Sequence, residues 1–286
     1  MPGPRELDPS ESMLALFGSE LREHRSRARL SQENLGEVLG YTGSLVGQIE
    51  TGRRTPTREF AERLDGALET GGIFSKLWPH ITRGQFPGFF KSYAELEPRA
   101  CQMLEYGGEL IPGLGQTEGY MRAVFEAGLP LAPPETIEEK VAARLGRQEL
   151  LRGPTRPLLW WLLAENAIRR PVGGFGTMAD QLGHLVDLVR SRKVVIQVLE
   201  TSRGAHALLE GSMTLMSFAD GIPDTGYVEA PHAGVLIEHP DTVRELRLSY
   251  DLARADALSP EASLNLVEKV AKEHQHHADE HRAEPG

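Results

Sequence analysis

The run from Gln32 to Gly52, QENLGEVLGYTGSLVGQIETG, limits what this chain can fold into more than any other stretch. Leu35, Leu39, Val46 and Ile49 fall at helical spacing on either side of a short break, and Tyr41 is a fifth inward position. Ser31 and Thr42 are N-cap residues, and Gly40 and Gly52 are stops. Two helices joined this tightly nearly touch. The crossing needs a small residue, which Gly36 supplies, and the turn needs one tolerant of positive φ, which Gly40 supplies. An ordinary αα-hairpin is the alternative, but every constrained position is filled.

With Glu20-Leu21-Arg22 before it and Arg53-Arg54-Thr55-Pro56 after it, the segment resembles the Cro/cI (xenobiotic-response-element) helix-turn-helix family, over about Leu14 to Leu68. The resemblance implies a lambda-repressor-like all-α domain on double-stranded DNA, with a recognition helix from about Thr42 or Gly43 to Thr51. Its base-facing positions are then Gly43, Ser44 and Gln48. Glutamine pairs bidentately with adenine and serine both donates and accepts, whereas Gly43 has no side chain, so shape readout carries more of the specificity. Gln32, at a helix N-terminus, suits a phosphate, and Thr42, Thr51, Arg53 and Arg54 are further phosphate candidates. The same resemblance implies an internal salt bridge between Arg25 and Glu50. Arg22, Arg27 and Arg29 are left open between solvation and DNA contact.

A net charge of −10 argues at first sight against a polyanionic partner. Its distribution argues otherwise. Leu14–Phe60 holds seven arginines against six acids, so the acidity lies further along. The lone cysteine, Cys101, allows no internal disulfide and fits a reducing cytoplasm. No apolar run approaches the ~20 residues that span a bilayer, and Met1–Pro9 lacks the pattern of a signal peptide. The expectation is a cytoplasmic protein with no membrane partner and no cofactor.

The reading divides the chain into a disordered arm (1–12), an all-α DNA-binding domain (13–80), an α+β domain with a small helix-covered sheet (84–275) and a polar tail (276–286). Helices are expected at Ser92–Tyr106, Glu118–Ala127, Glu135–Arg152, Met178–Arg190, Thr242–Leu258 and Pro260–Glu273. Four or five strands are expected among Leu158–Leu163, Val194–Leu199, Met213–Phe218, Tyr227–Glu229 and Val235–Ile237. Alternation puts Trp160 and Trp161 on opposite faces.

In the second domain Gly173-Gly174-Phe175-Gly176 reads as a turn, because no Lys-Ser/Thr follows it. No nucleophile elbow or His-Glu-x-x-His is present, so no enzyme is expected. His274, His276, His277 and His281 read as a solvated helix end rather than a metal site. His206 reads as a loop histidine. Glu165, if inward, needs Arg144, Arg147, Arg169 or Arg170.

Ile111-Pro112-Gly113-Leu114-Gly115-Gln116-Thr117-Glu118-Gly119-Tyr120 resembles the signature of a large actinobacterial regulator family. In that family a Cro/cI-type domain precedes a domain of unknown function. Further marks are Arg144, Arg147-Gln148, Glu165, Ile168 to Gly174, Gln181-Leu182, His184-Leu185, Gly204, His206 and Ala257 to Ser263. Gly115 departs from the family's usual leucine and Glu200 from its usual proline. The resemblance implies an antitoxin-like transcriptional regulator, of a family often encoded beside a small acidic partner protein. It implies that the second domain binds a partner or an effector without saying which; the expectation is a small protein partner. A small-molecule effector in a pocket is the alternative. A single helix-turn-helix reads few base pairs, so a homodimer is expected.

Overall fold

The structure is a computed structural model, and it describes residues 9, 13–83, 88–153, 156–219, 221–230 and 233–283. The expected arm (1–12), Pro9 apart, and the link around 84 lie outside them. Along the chain run α1 (Met13–Arg27), α2 (Gln32–Leu39), α3 (Gly43–Glu50), α4 (Arg58–Ala67), α5 (Ile73–Arg83), α6 (Gly88–Leu96), β1 (Ala100–Gly107), α7 (Glu118–Gly128) and α8 (Pro134–Arg147). Then follow β2 (Leu158–Ala164), α9 (Glu165–Arg169), α10 (Phe175–Arg190), β3 (Val195–Leu199), β4 (Met213–Phe218), β5 (Thr225–Ala230), β6 (Ala233–Ile237), α11 (Pro240–Asp256) and α12 (Pro260–Ala283). They form two compact units. One holds α1–α5 together with residues 125–147, and the other holds the sheet and its remaining helices.

In the helical unit one apolar stripe from each of α1–α5 meets in a single core. Phe17 and Leu21, Leu35 and Leu39, Val46 and Ile49, Phe60 and Leu64, and Phe74 and Ile81 are all buried there. The rings of Phe17 and Phe74 meet edge to face at 4.9 Å. The Trp78 indole donates to the Pro56 carbonyl at 3.0 Å. Helix α8 packs against α5.

The second unit is α+β around a six-stranded mixed sheet of order β3-β2-β1-β4-β5-β6. β1, β2 and β3 are parallel, with Met103 beside Leu159 and Trp161 beside Ile196. β4, β5 and β6 join antiparallel. One face (Met103, Trp161, Leu163, Val198, Met216) packs on α10 and α12 through Met178, Leu182, Val267 and Val270. The other (Leu104, Tyr106, Leu162, Leu215) packs on Val243, Tyr250 and Ala253 of α11. Trp160 and Trp161 do fall on opposite faces.

The expected helix at Ser92–Tyr106 is corrected. α6 ends at Leu96, a short turn containing Pro98 follows, and residues 100–107 form β1, a central strand. Tyr93, Leu96, Ala100 and Met103 imitate helical spacing, while a strand buried on both faces lacks the alternation that would identify it. β1 also raises the strand count to six. Helix α12 continues past Glu273 to Ala283, because His274 and Ala278 are buried and extend its packed side.

The loop 111–117, which leads into α7, is stitched by amides. Gln116 donates to the Ile111 carbonyl (2.6 Å), Gln148 to that of Gln116 (2.7 Å) and Gln181 to that of Gly115 (2.7 Å). The Thr117 N–H donates back to Gln181 Oε1 at 2.7 Å, and the Ile111 N–H to the Tyr120 hydroxyl at 3.2 Å. A buried loop otherwise leaves its backbone unsatisfied, so these side chains are what makes its burial affordable. Gly115 has a steric reason: a Cβ there would lie 2.5 Å from the Trp161 ring. Gly115→Leu is therefore expected to displace Trp161 and destabilise the sheet unit by about 2 kcal/mol or more, read from urea unfolding.

Candidate nucleic-acid interface

Ser31 Oγ accepts from the Asn34 N–H at 3.0 Å and starts α2, and Gly40 ends it at φ 77°. Thr42 Oγ1 accepts from the Leu45 N–H at 3.2 Å and starts α3. Where the helices cross, a Cβ on Gly36 would stand 2.8 Å from backbone atoms of Tyr41, Thr42 and Gly43. A Cβ on Gly43 would stand 2.8 Å from Glu33 Cα, and one on Gly47 would stand 2.8 Å from Gln32 Oε1. Three glycines thus let α3 lie directly on α2.

The seam orients α3. Gly43 turns toward α2. Ser44 and Gln48, one turn apart, are exposed. Glu50, on the packed side, is 1% exposed. Its carboxylate accepts from Arg25 Nε (2.5 Å) and Nη2 (3.1 Å) and from Gln32 Nε2 (2.7 Å), with Arg22 Nε at 3.9 Å. Arg25 also donates to the Leu30 carbonyl at 2.7 Å. A fork-to-fork guanidinium–carboxylate contact fixes both distance and angle. The expected Arg25–Glu50 pair is thus present in the geometry.

The other expected residues separate. Gln32 is half-buried and its amide is committed to Glu50. Thr42 is exposed and its oxygen accepts as the α3 cap, while its hydroxyl is itself a donor. Thr51 turns its hydroxyl onto the Gly47 carbonyl (2.9 Å) and its N–H onto the same oxygen (3.1 Å), so the structure spends it on ending α3. Arg53 and Arg54 are exposed just beyond. Arg27 pairs with Glu23 on the surface of α1.

Two residues escaped sequence reasoning. Arg63 of α4 donates to the Leu39 carbonyl at 2.7 Å and lies 5.7 Å from the Tyr41 ring centroid, so it closes the end of α2 over the turn. The signal available was only that Leu39 needs a donor; nothing along the chain says that it comes 24 residues later. Asp65 accepts from the Phe74 N–H (2.9 Å), the Ser75 N–H (2.8 Å) and the Ser75 and Thr70 hydroxyls. Burial pushes its carboxyl up, but these four donors outweigh burial and hold it below the ordinary aspartate value.

In the sheet unit Glu165 accepts from Arg169 Nε at 2.6 Å and from the Thr201 N–H at 2.9 Å. Burial raises it, and these contacts lower it further than burial raises it. His206 lies 3.4 Å from the Tyr106 hydroxyl and accepts from the Leu208 N–H at Nδ1 (3.2 Å). Burial lowers the His206 pKa, and burial followed by Glu109 pushes Tyr106 up to about 12. Gly173 and Gly174 form a turn at φ 72° and 89°. His274 is buried against the Ile168 carbonyl at 3.1 Å, and its ring, with those of His277 and His281, faces Phe175. Among the described residues no group of three or more His, Cys, Asp or Glu is placed to hold a metal ion. No helix of the described residues is long and apolar enough to cross a membrane.

Two short helices crossing at a glycine seam, the second presenting polar side chains from a locked frame, define a helix-turn-helix DNA-binding domain. The family described as "Helix-turn-helix domain" matches residues 16–73. The chain belongs to the family described as "Domain of unknown function (DUF5753)", which matches residues 90–269 and so takes in all six strands of the sheet. No curated protein and no solved structure matches the chain.

Two outcomes follow from this geometry. Arg25→Met leaves Glu50 buried without its main cation, so the helical unit is expected to lose about 3 kcal/mol or more in urea unfolding; a loss under 1 kcal/mol contradicts the assignment. Asp65 has a folded pKa below its unfolded value, so its contribution is full above that value and is lost as pH falls through the folded pKa. The stability gap between wild type and Asp65→Asn is therefore expected to be full at neutral pH and to close as pH drops below about 4.

Proposed function

We propose that this chain is a Cro/cI-type transcriptional regulator that reads the major groove of double-stranded DNA with α3. The observation that carries the reading is the pairing of exposed Ser44 and Gln48 with a buried Glu50 on one eight-residue helix. A side chain can discriminate bases only if its helix holds a fixed angle in the groove, and Arg25 and Gln32 set that angle from α1 and α2. Arg53 and Arg54 supply phosphate contacts, with Thr42 and Gln32 beside the same groove wall.

The protein acts by binding, as a homodimer in the cytoplasm, and has no catalytic role. Its sheet unit serves the dimer and a small partner protein in an antitoxin-like pair. The partner's acidity rests on the family resemblance alone. The groove between α10 and α12, whose lining includes Asp180, Asp187, His184 and Lys272, is open at the surface, which suits a docked segment better than an enclosed small molecule. Co-purification from the native host separates these two readings.

For the DNA reading, duplexes selected from a random pool supply the operator. Gln48→Ala is expected to relax preference at one base pair by about 1–3 kcal/mol. Arg53→Ala is expected to weaken all duplexes alike and to reduce the salt slope by about one. If both variants select and bind as wild type does, α3 is not the reading element.

A further inference from the structure

We infer that His274 is a pH-operated latch: protonated in mild acid, it frees the end of α12, residues 274–283, from α9 and from Phe175 of α10. The inference concerns the sheet unit alone and does not rest on the DNA reading.

The seam that holds α12 changes chemistry along its length. Val267 and Val270 are buried in the core shared with the sheet, and Ser263 Oγ accepts from the Val198 N–H at 2.9 Å. From the next turn the same side of the helix continues as His274, then His277 with Ala278, then His281. The three imidazole rings stand 5.7, 5.0 and 5.6 Å from the Phe175 ring. Aliphatic side chains in these positions would pack alike at any pH, whereas a buried imidazole packs without penalty only while it is neutral.

His274 is the buried member of the three. Its Nε2 lies 3.1 Å from the Ile168 carbonyl at the end of α9. A carbonyl only accepts, so Nε2 carries the hydrogen and Nδ1 keeps a lone pair. Nδ1 is buried and meets no hydrogen-bond partner among the described residues. A second proton has only Nδ1 to go to, where it would place a charged N–H out of water with no acceptor. The closed arrangement therefore takes one tautomer of the neutral ring and refuses the cation.

The charges around the ring do not reverse this. From α9 comes Arg169, which itself bonds Glu165 and Glu273. From α12 come Glu273, which attracts a His274 cation, and His277, which repels it when charged and has Glu280 at 3.2 Å. From α10 comes Phe175, which carries no charge. Burial is the largest influence. With His277 and Arg169 it holds His274 below the ordinary histidine value, against the pull of the Ile168 carbonyl and Glu273. The attraction of an imidazolium to the Phe175 ring is a smaller effect than its loss of water.

Once released, His274 is hydrated and titrates at about 6.5. The released state thus binds more protons than the closed one. Falling pH favours release by about tenfold for each unit between about 6.5 and the closed-state value, and above that range the latch is shut. Val267 and Val270 are indifferent to pH and keep the rest of α12 in place. Gln275 lines the α10–α12 groove and lies on the released segment, so mild acid removes part of that groove's wall.

Amide hydrogen exchange on the full chain, corrected for the intrinsic effect of pH, tests this between about pH 7.5 and pH 5. Protection at 274–283 is expected to fall by about tenfold for each unit below about 6.5, while 260–270 keeps its protection. His274→Gln keeps a donor for the Ile168 carbonyl without a titrating ring, so its segment is expected to lose this pH dependence. His277→Gln is expected to retain it. Constant protection at 274–283 in wild type overturns the inference. So does equal loss along all of α12, or a His274→Gln protein that responds to acid as wild type does. Imidazole nitrogen shifts in wild type give a reading that needs no variant. His274 is expected to be the Nε2–H tautomer and to titrate below about 6.5; an Nδ1–H tautomer, or titration at or above that value, overturns the latch.

Discussion

The helical unit depends on one buried carboxylate. Glu50 is removed from water and bound by Arg25 of α1 and Gln32 of α2, so three helices share one charged contact. A carboxylate taken into a protein interior is tolerable only where cations and donors replace its water. That requirement fixes the rotation of α3 about its own axis, and with it which side chains face outward. Ser44 and Gln48 owe their exposure to the burial of Glu50. The glycines at 36, 43 and 47 are the steric half of the same constraint, because larger side chains would hold α3 away from the donors.

The sheet unit solves a different problem. It carries a seven-residue connection, 111–117, inside its core side, and glutamines at 116, 148 and 181 replace the water that the connection has lost. Several residues by which this chain resembles its family act there in the structure's own scaffolding. Gln181 bridges the loop to α10, Tyr120 closes it, and Ser263 covers the edge of β3.

What could be read from the sequence follows from the range of the interactions. The Ser31 and Thr42 caps, the Gly40 stop and the inward apolar positions depend on neighbours within a few residues, and the pattern 32–52 displays them directly. Arg25 with Glu50 spans 25 residues and came through resemblance. Arg63 on the Leu39 carbonyl and Asp65 under α5 had no such template, and both required the fold. β1 was misread because burial on two faces erases alternation. Gly43 shows the limit for a site residue: the sequence assigned it a place in the groove, but only the seam against Glu33 explains why it has no side chain. Likewise Gly115 looked like a departure from a family pattern until Trp161 supplied its reason.

The chain's acidity is unevenly spread. Leu14–Phe60, with seven arginines against six acids in a chain of net charge −10, is the stretch that repels a polyanion least. The central claim, that α3 is the element placed in the groove from a locked frame, is met most directly by amide hydrogen exchange on the full chain with and without a selected duplex. The account predicts that added protection concentrates at residues 42–48 and 53–54. Protection confined to the sheet unit, with 42–54 unchanged, would contradict it.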